Sequence, residues 1–166
     1  MRIVINAGHT KFGAGTGAKG NLVESIETRK IAYELMKHLA DSRHEVIPAV
    51  FDRDDNNLKA AVDLSNKYKA DLFISIHLNA GKGRGCEAYT YKGAQHIQAV
   101  NVCKNLNKLG FINRGVKDGS HLYVVKNTTA KAILIEVCFV DSIMDYELFK
   151  IIDYEKIAKA IYQAIV

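Results

Sequence analysis

Apolar residues in this chain fall into two kinds of run that alternate along it. Short, nearly continuous runs occupy residues 2–7, 45–51, 72–80, 86–91 and 132–140. Between them lie longer segments in which apolar residues recur every three or four positions. The first kind predicts strands and the second amphipathic helices. A helix is expected from Glu24 to about Ser42, with Ile31, Leu35 and Leu39 on one face beside Ala32 and Met36. A second is expected from Asn57 to Tyr68, with Leu58, Ala61, Val62 and Leu64 turned inward. A third runs from about Gln95 to Leu109 and stops at Gly110. Residues 113–120 read as a polar loop, His121–Val125 as a short strand and Lys126–Thr129 as a turn. Ala132–Val140 is apolar almost throughout, the pattern of a strand buried on both faces. Two helices close the chain, Asp141–Ile151 with Asp141 as its N-cap, and Tyr154–Ile165.

Composition narrows the class. With 166 residues, 48% hydrophobic and 25% charged, the chain suits one globular domain with a substantial core. A single proline and the lack of repeats or low-complexity linkers give no sign of a second domain. No apolar run approaches the roughly 20 residues of a membrane span. The apolar stretch after Met1 is too short for a signal peptide and reads as a first strand, so synthesis in the cytoplasm and export by another route are expected. Cys86, Cys103 and Cys138 are odd in number and unpaired in spacing, which argues for small core residues rather than disulfides or a cysteine zinc site. The net charge of +5 favours acidic polymers in general. There is no nucleic-acid motif and no basic stripe interleaved with aromatics, so no nucleic-acid partner is expected.

Chemistry concentrates at a few positions. His77 closes the apolar strand Leu72–Ala80, and in α/β sheets ligands collect at the carboxyl ends of strands. His9 comes after the first strand in the same way. Glu136 is the one carboxylate in the most apolar run, where an unpaired charge costs several kcal/mol. Glu24 and Glu27 open the first helix. Glu27 reads as a complement to the helix dipole, whereas Glu24 lies nearer His9 and is the candidate ligand. The glycine-rich residues 13–20 match neither a P-loop nor a dinucleotide turn. Asp52, Asp54 and Asp55 lack the glycine and glutamate of a calcium loop and read as a solvated turn. Two histidines and a carboxylate are a catalytic zinc set, and a second carboxylate serves for proton transfer. The helix-borne H-E-x-x-H motif is absent.

Four pieces of the chain, in order, resemble the zinc-dependent N-acetylmuramoyl-L-alanine amidases of the amidase_3 type, found in autolysins, sporulation hydrolases and phage endolysins. They are Ala7-Gly8-His9, Gly17-Ala18-Lys19-Gly20 leading to Glu24, Ser75-Ile76-His77-Leu78-Asn79-Ala80, and Leu134-Ile135-Glu136-Val137-Cys138-Phe139. The resemblance implies one α/β domain with a twisted mixed, mostly parallel sheet between helices. It implies one Zn2+ held by His9, Glu24 and His77, with Glu136 as catalytic acid/base. The implied reaction is hydrolysis of the amide between N-acetylmuramic acid and L-alanine, so the partner is peptidoglycan and the place of action the bacterial cell wall. Lys82 and Arg84 are candidate contacts to the acidic stem peptide. Residues 1–166 then form one catalytic domain, and any wall-binding domain is expected beyond the C-terminus, because the chain starts at Met1. This chain has Asn6-Ala7-Gly8-His9-Thr10 where the family commonly has Asp-Pro-Gly-His-Gly, and Glu136-Val137-Cys138-Phe139 where it often has Glu-x-Gly-Phe. Two other readings stand beside it: a zinc peptidase cutting within the stem peptide, and a non-catalytic wall-binding module. Retention of both histidines and both glutamates argues against the module.

Overall fold

A computed structural model describes residues 1–53 and 56–166. Six strands form one sheet: β1 (Arg2–Ala7), β2 (Glu45–Ala49), β3 (Leu72–Asn79), β4 (Cys86–Thr90), β5 (Asn113–Asp118) and β6 (Lys131–Phe139). Their order across the sheet is β2-β1-β3-β6-β4-β5. β2, β1, β3 and β6 pair in parallel. β4 runs antiparallel to β6, and β5 lies parallel to β4 at the edge. The expected mixed, mostly parallel α/β sheet is therefore the observed one.

Among the described residues six α-helices cover it: α1 (Glu24–Ala40), α2 (Asn57–Lys67), α3 (Ile97–Lys108), α4 (Tyr123–Asn127), α5 (Ile143–Ile151) and α6 (Tyr154–Ile165). The inner strands read as continuous apolar runs because both their faces are covered. On one face Ile3, Ile5, Ile74, Ile76, Ile133 and Ile135 pack in a core with Ile31, Leu35 and Leu39 of α1, Leu106 of α3 and Ile161 of α6. On the other, Val4, Phe73 and Leu134 pack with Ala61 and Val62 of α2 and Val124 and Val125 of α4. Each such side chain, fully removed from water, contributes roughly 1.5–3 kcal/mol before entropy is counted. All three cysteines are buried and free, as expected.

The structure corrects four local expectations. Residues 113–118 are a strand rather than a polar loop. They form the sheet edge, where polar and charged side chains guard unpaired backbone, so no apolar alternation marks them. The expected strand at His121–Val125 is instead a short helix, whose buried β-branched pair Val124 and Val125 mimics a strand while capping the sheet face. α5 is capped by Ser142, whose Oγ accepts from the Asp145 N–H, and not by Asp141. Asp141 accepts from the N–H groups of Gly81 and Lys82. Leu58 is exposed rather than inward. Asp54 and Asp55 of the expected turn lie outside the described residues.

Candidate metal centre

The parallel pairing of β1 with β3 sets Ala7 beside Ile76, so His9, just past β1, and His77, near the end of β3, meet at one end of the sheet. Their rings stand 5.0 Å apart, edge to face. Glu24, the first residue of α1, points its buried carboxylate between them. Glu24 Oε2 lies 3.2 Å from His9 Nε2, and Oε1 lies 3.1 Å from His77 Nδ1. Two glycines make room. A Cβ on Gly8 would lie 2.5 Å from the His77 ring, and one on Gly17 would lie 2.6 Å from Glu24 Oε2 and 2.7 Å from the His9 ring.

The surrounding hydrogen bonds fix which atoms face the centre. Asn6 Nδ2 donates to the Ala49 carbonyl at 2.7 Å, so its Oδ1 points the other way. Ser75 Oγ donates to that Oδ1 at 2.7 Å. The Ser75 oxygen is then an acceptor for His77 Nε2, 3.1 Å away, which must carry a proton. His9 Nδ1 faces the Gly15 carbonyl at 3.0 Å and must also be a donor. In the neutral rings, His77 Nδ1 and His9 Nε2 are therefore lone pairs aimed at the Glu24 carboxylate. Acceptor facing acceptor at this range is repulsive unless a cation sits among them. One ligand atom from each of the three residues lies within 4.8 Å of the others. The donor set, two imidazoles and a carboxylate, suits a divalent metal such as zinc.

Protons meet the same demand when no metal is bound. Burial depresses His9, but the Glu24 carboxylate outweighs it and raises its pKa above the usual value. Burial pushes Glu24 up, yet hydrogen bonds from His77 and His9 hold it well below the usual carboxylate range. The carboxylate also accepts the N–H of Ala18 at 2.8 Å and of Leu78 at 3.1 Å, which fix its orientation. Arg29, buried in α1, braces the backbone behind His9: its guanidinium donates to the carbonyls of His9 and Phe51 and pairs with Asp52.

Glu136 lies beside His77 in the β3–β6 register. It shares a cavity of about 280 Å³ with both histidines, walled by Leu58, Leu122 and Tyr123. Its Oε2 is buried and has no hydrogen-bond partner among the described residues. Burial, helped by the charges of Glu24 and Glu87, raises its pKa to about 8. The four residues singled out from the sequence thus converge. Glu27 does not join them; it pairs with Lys30 and accepts from the Tyr154 hydroxyl at 2.6 Å. Lys82 and Arg84 lie on the loop between β3 and β4, Arg84 3.8 Å from the buried Asp145. Asn6, Ser75, Arg29 and Glu87 carry no such signal in the sequence, because only tertiary pairing reveals their partners.

The sequence profile of the N-acetylmuramoyl-L-alanine amidase family (Amidase_3) matches residues 3–166. The chain belongs to this family. Among curated relatives, an uncharacterized protein of Clostridium perfringens strain 13 is 34% identical over 175 residues, covering 99% of this chain and 51% of its own length. The N-acetylmuramoyl-L-alanine amidase CwlM of Bacillus licheniformis is 32% identical over 160 residues, covering 90% of this chain and 61% of its own. The chain spans only about half to three-fifths of these relatives. Among solved structures, the catalytic domain of the CD27L endolysin targeting Clostridia difficile superposes with a TM-score of 0.88 at 31% identity, covering 99% of this chain and 96% of that one.

Proposed function

We propose that this member of the amidase family hydrolyses the amide between N-acetylmuramic acid and L-alanine in peptidoglycan, with one zinc ion held by His9, Glu24 and His77. The observation that carries the reading is the convergence of the lone pairs of three residues beside the unpartnered carboxyl of Glu136, which shares a cavity with both histidines. Bound zinc would supply Lewis acidity, bringing the pKa of water to about 7 and polarising a carbonyl.

The chain's own residues do the rest. Glu24 and the two histidines arrive preoriented, each held on its far side by backbone or by Ser75. Glu136 takes the proton of the attacking water and delivers it to the nitrogen of the departing L-alanine, which leaves as a neutral amine. Its unpartnered Oε2 leaves the carboxyl group free to take a proton and to give it up again. The apolar wall of Leu58, Leu122 and Tyr123 limits water on one side of the cavity. The match to a solved catalytic domain supports reading residues 1–166 as one catalytic unit, with any wall-binding function carried elsewhere.

The test is end-group analysis of digested peptidoglycan, with and without a chelator. New N-terminal alanine without new reducing sugar, lost on chelation, is expected. Glu136→Gln is expected to abolish the new ends while keeping its zinc. New amino ends on other stem residues would move the reading to a peptidase. Full turnover by Glu136→Gln would overturn the assigned role.

A further inference from the structure

Beyond the metal site, one charged cluster stands at the same sheet edge. Glu87 in β4 lies directly opposite Glu136 across the β4–β6 pair and is 2% exposed. Its Oε1 accepts from Asn79 Nδ2 at 2.7 Å and from the Tyr89 hydroxyl at 2.8 Å. Its Oε2 accepts from Arg114 Nε at 2.6 Å and lies 2.6 Å from Lys117 Nζ. Two cations on one carboxylate leave a net positive charge beside the cavity. Burial opposes ionisation of Glu87, but Lys117 and Arg114 outweigh it and lower its pKa.

The cluster holds Arg114 in one pose. Nε is tied to Glu87, and the guanidinium carbon lies 5.0 Å from the centre of the Phe139 ring. Among the described residues its two terminal nitrogens have no protein acceptor, and the side chain is 34% exposed. Phe139 pairs with Asn79, two residues past His77, at the end of the sheet that carries the metal site. Arg114 is on β5, two strands from Glu136. Its Nε reaches back to Glu87, the residue opposite Glu136, and at about 4.8 Å per strand even its backbone lies no more than roughly 10 Å from the acid/base's strand. An extended peptide covers that distance in about three residues. A fixed guanidinium with two free NH2 groups is a fork for a carboxylate, and its pose carries little ordering cost.

We propose that Arg114, steadied by Glu87 and Phe139 and assisted by Lys117, is a carboxylate subsite. It receives an ionised carboxylate of the substrate peptide one or two residues beyond the scissile amide. The inference deepens the amidase reading and rests on it. Stem peptides offer such a carboxylate at the second residue and again on a diamino acid at the third, and amidation removes either one.

The experiment compares kcat/KM for three synthetic muramoyl tripeptides, each with its C-terminal α-carboxyl blocked as an amide: both remaining carboxylates free, the second-residue carboxylate amidated, and the third-residue side-chain carboxylate amidated. For the wild type, one of the two amidations is expected to cost about 10–100-fold, as loss of a charged hydrogen bond should, and the sensitive one identifies the residue bound. Arg114→Gln is expected to lower kcat/KM for the free acid by the same factor, through KM, so that acid and amide become alike. Arg114→Lys keeps the charge without the fork and is expected to fall between. Equal rates for all three peptides with the wild type would overturn the subsite and leave the amidase reading standing. An unchanged acid-to-amide ratio in Arg114→Gln would overturn it too, assigning Arg114 only a structural role on Glu87. If Arg114→Gln does not fold, the wild-type comparison decides alone. No turnover of any peptide would overturn the amidase reading itself and the subsite with it.

Discussion

The unpartnered carboxyl group of Glu136 should be visible in stability as well as in turnover. In the metal-free protein its proton is retained up to a pKa of about 8, against 4.5 for the free side chain. The unfolded chain therefore loses this proton near 4.5 and the native chain only near 8. Between those values the native state binds more protons, so the group's contribution to stability declines as pH rises. At about 1.36 kcal/mol per pK unit, the shift sets a ceiling of roughly 5 kcal/mol on that decline. Glu136 is only partly buried as a whole, and local hydration of the anion reduces the expected effect to roughly 2–3 kcal/mol. Glu136→Gln removes the ionisation while keeping the shape. With chelator present, the variant should match the wild type at pH 5 and exceed it by roughly 2–3 kcal/mol at pH 9. Urea unfolding at several pH values measures this, and the titrations of His9 and Glu24, common to both proteins, largely cancel in the difference. A stability difference that does not vary with pH would refute the argument that Glu136 is desolvated and unpaired.

The hydrogen-bond networks supply two further expected outcomes. Ser75→Ala removes the acceptor for His77 Nε2 and should weaken zinc binding about 10–100-fold in competition with a fluorescent chelator; unchanged affinity would show that the hydroxyl does not orient the ring. Asp145→Ala strands the buried N–H groups of Gly85 and Phe139, held at 2.8 and 2.9 Å, and should cost about 2–5 kcal/mol in urea unfolding; a loss below about 0.5 kcal/mol would mean that water or a neighbour replaces the carboxylate.

The inner sheet and the residues of the candidate metal centre are legible from the chain because their signals are local. β3 and β6 announce themselves as unbroken apolar runs, and His77 and Glu136 stand out as polar residues within or beside them. Glu24 is readable as the acidic start of a helix near a glycine-rich loop. The edge strand β5 is not, since its polar composition is what a guarded edge and a loop share. Nor is α4, where the energy comes from two valines closing a sheet face and not from helical periodicity. Glu87 illustrates a deeper limit. In sequence it is an isolated acid in a short strand, and its four donors come from positions 79, 89, 114 and 117. Only the reversal of β4 against β6 sets it across from Glu136.

That reversal divides the working edge of the sheet by mechanical character. In the parallel half, the edge is built where strands finish, and the glycine-rich stretch that leaves β1 folds back onto the centre, its Gly15 carbonyl accepting from His9 and its Ala18 N–H donating to Glu24. In the reversed half, the same edge is built where strands begin. Cys86 is hydrogen-bonded to the Ile112 carbonyl, and Gly85 just before it is anchored to Asp145. This side offers little slack. The two halves are thus anchored separately, the first through a loop tied to its own candidate ligands and the second through strand starts tied to α5 and to the residue before β5, so a change in one half need not loosen the other.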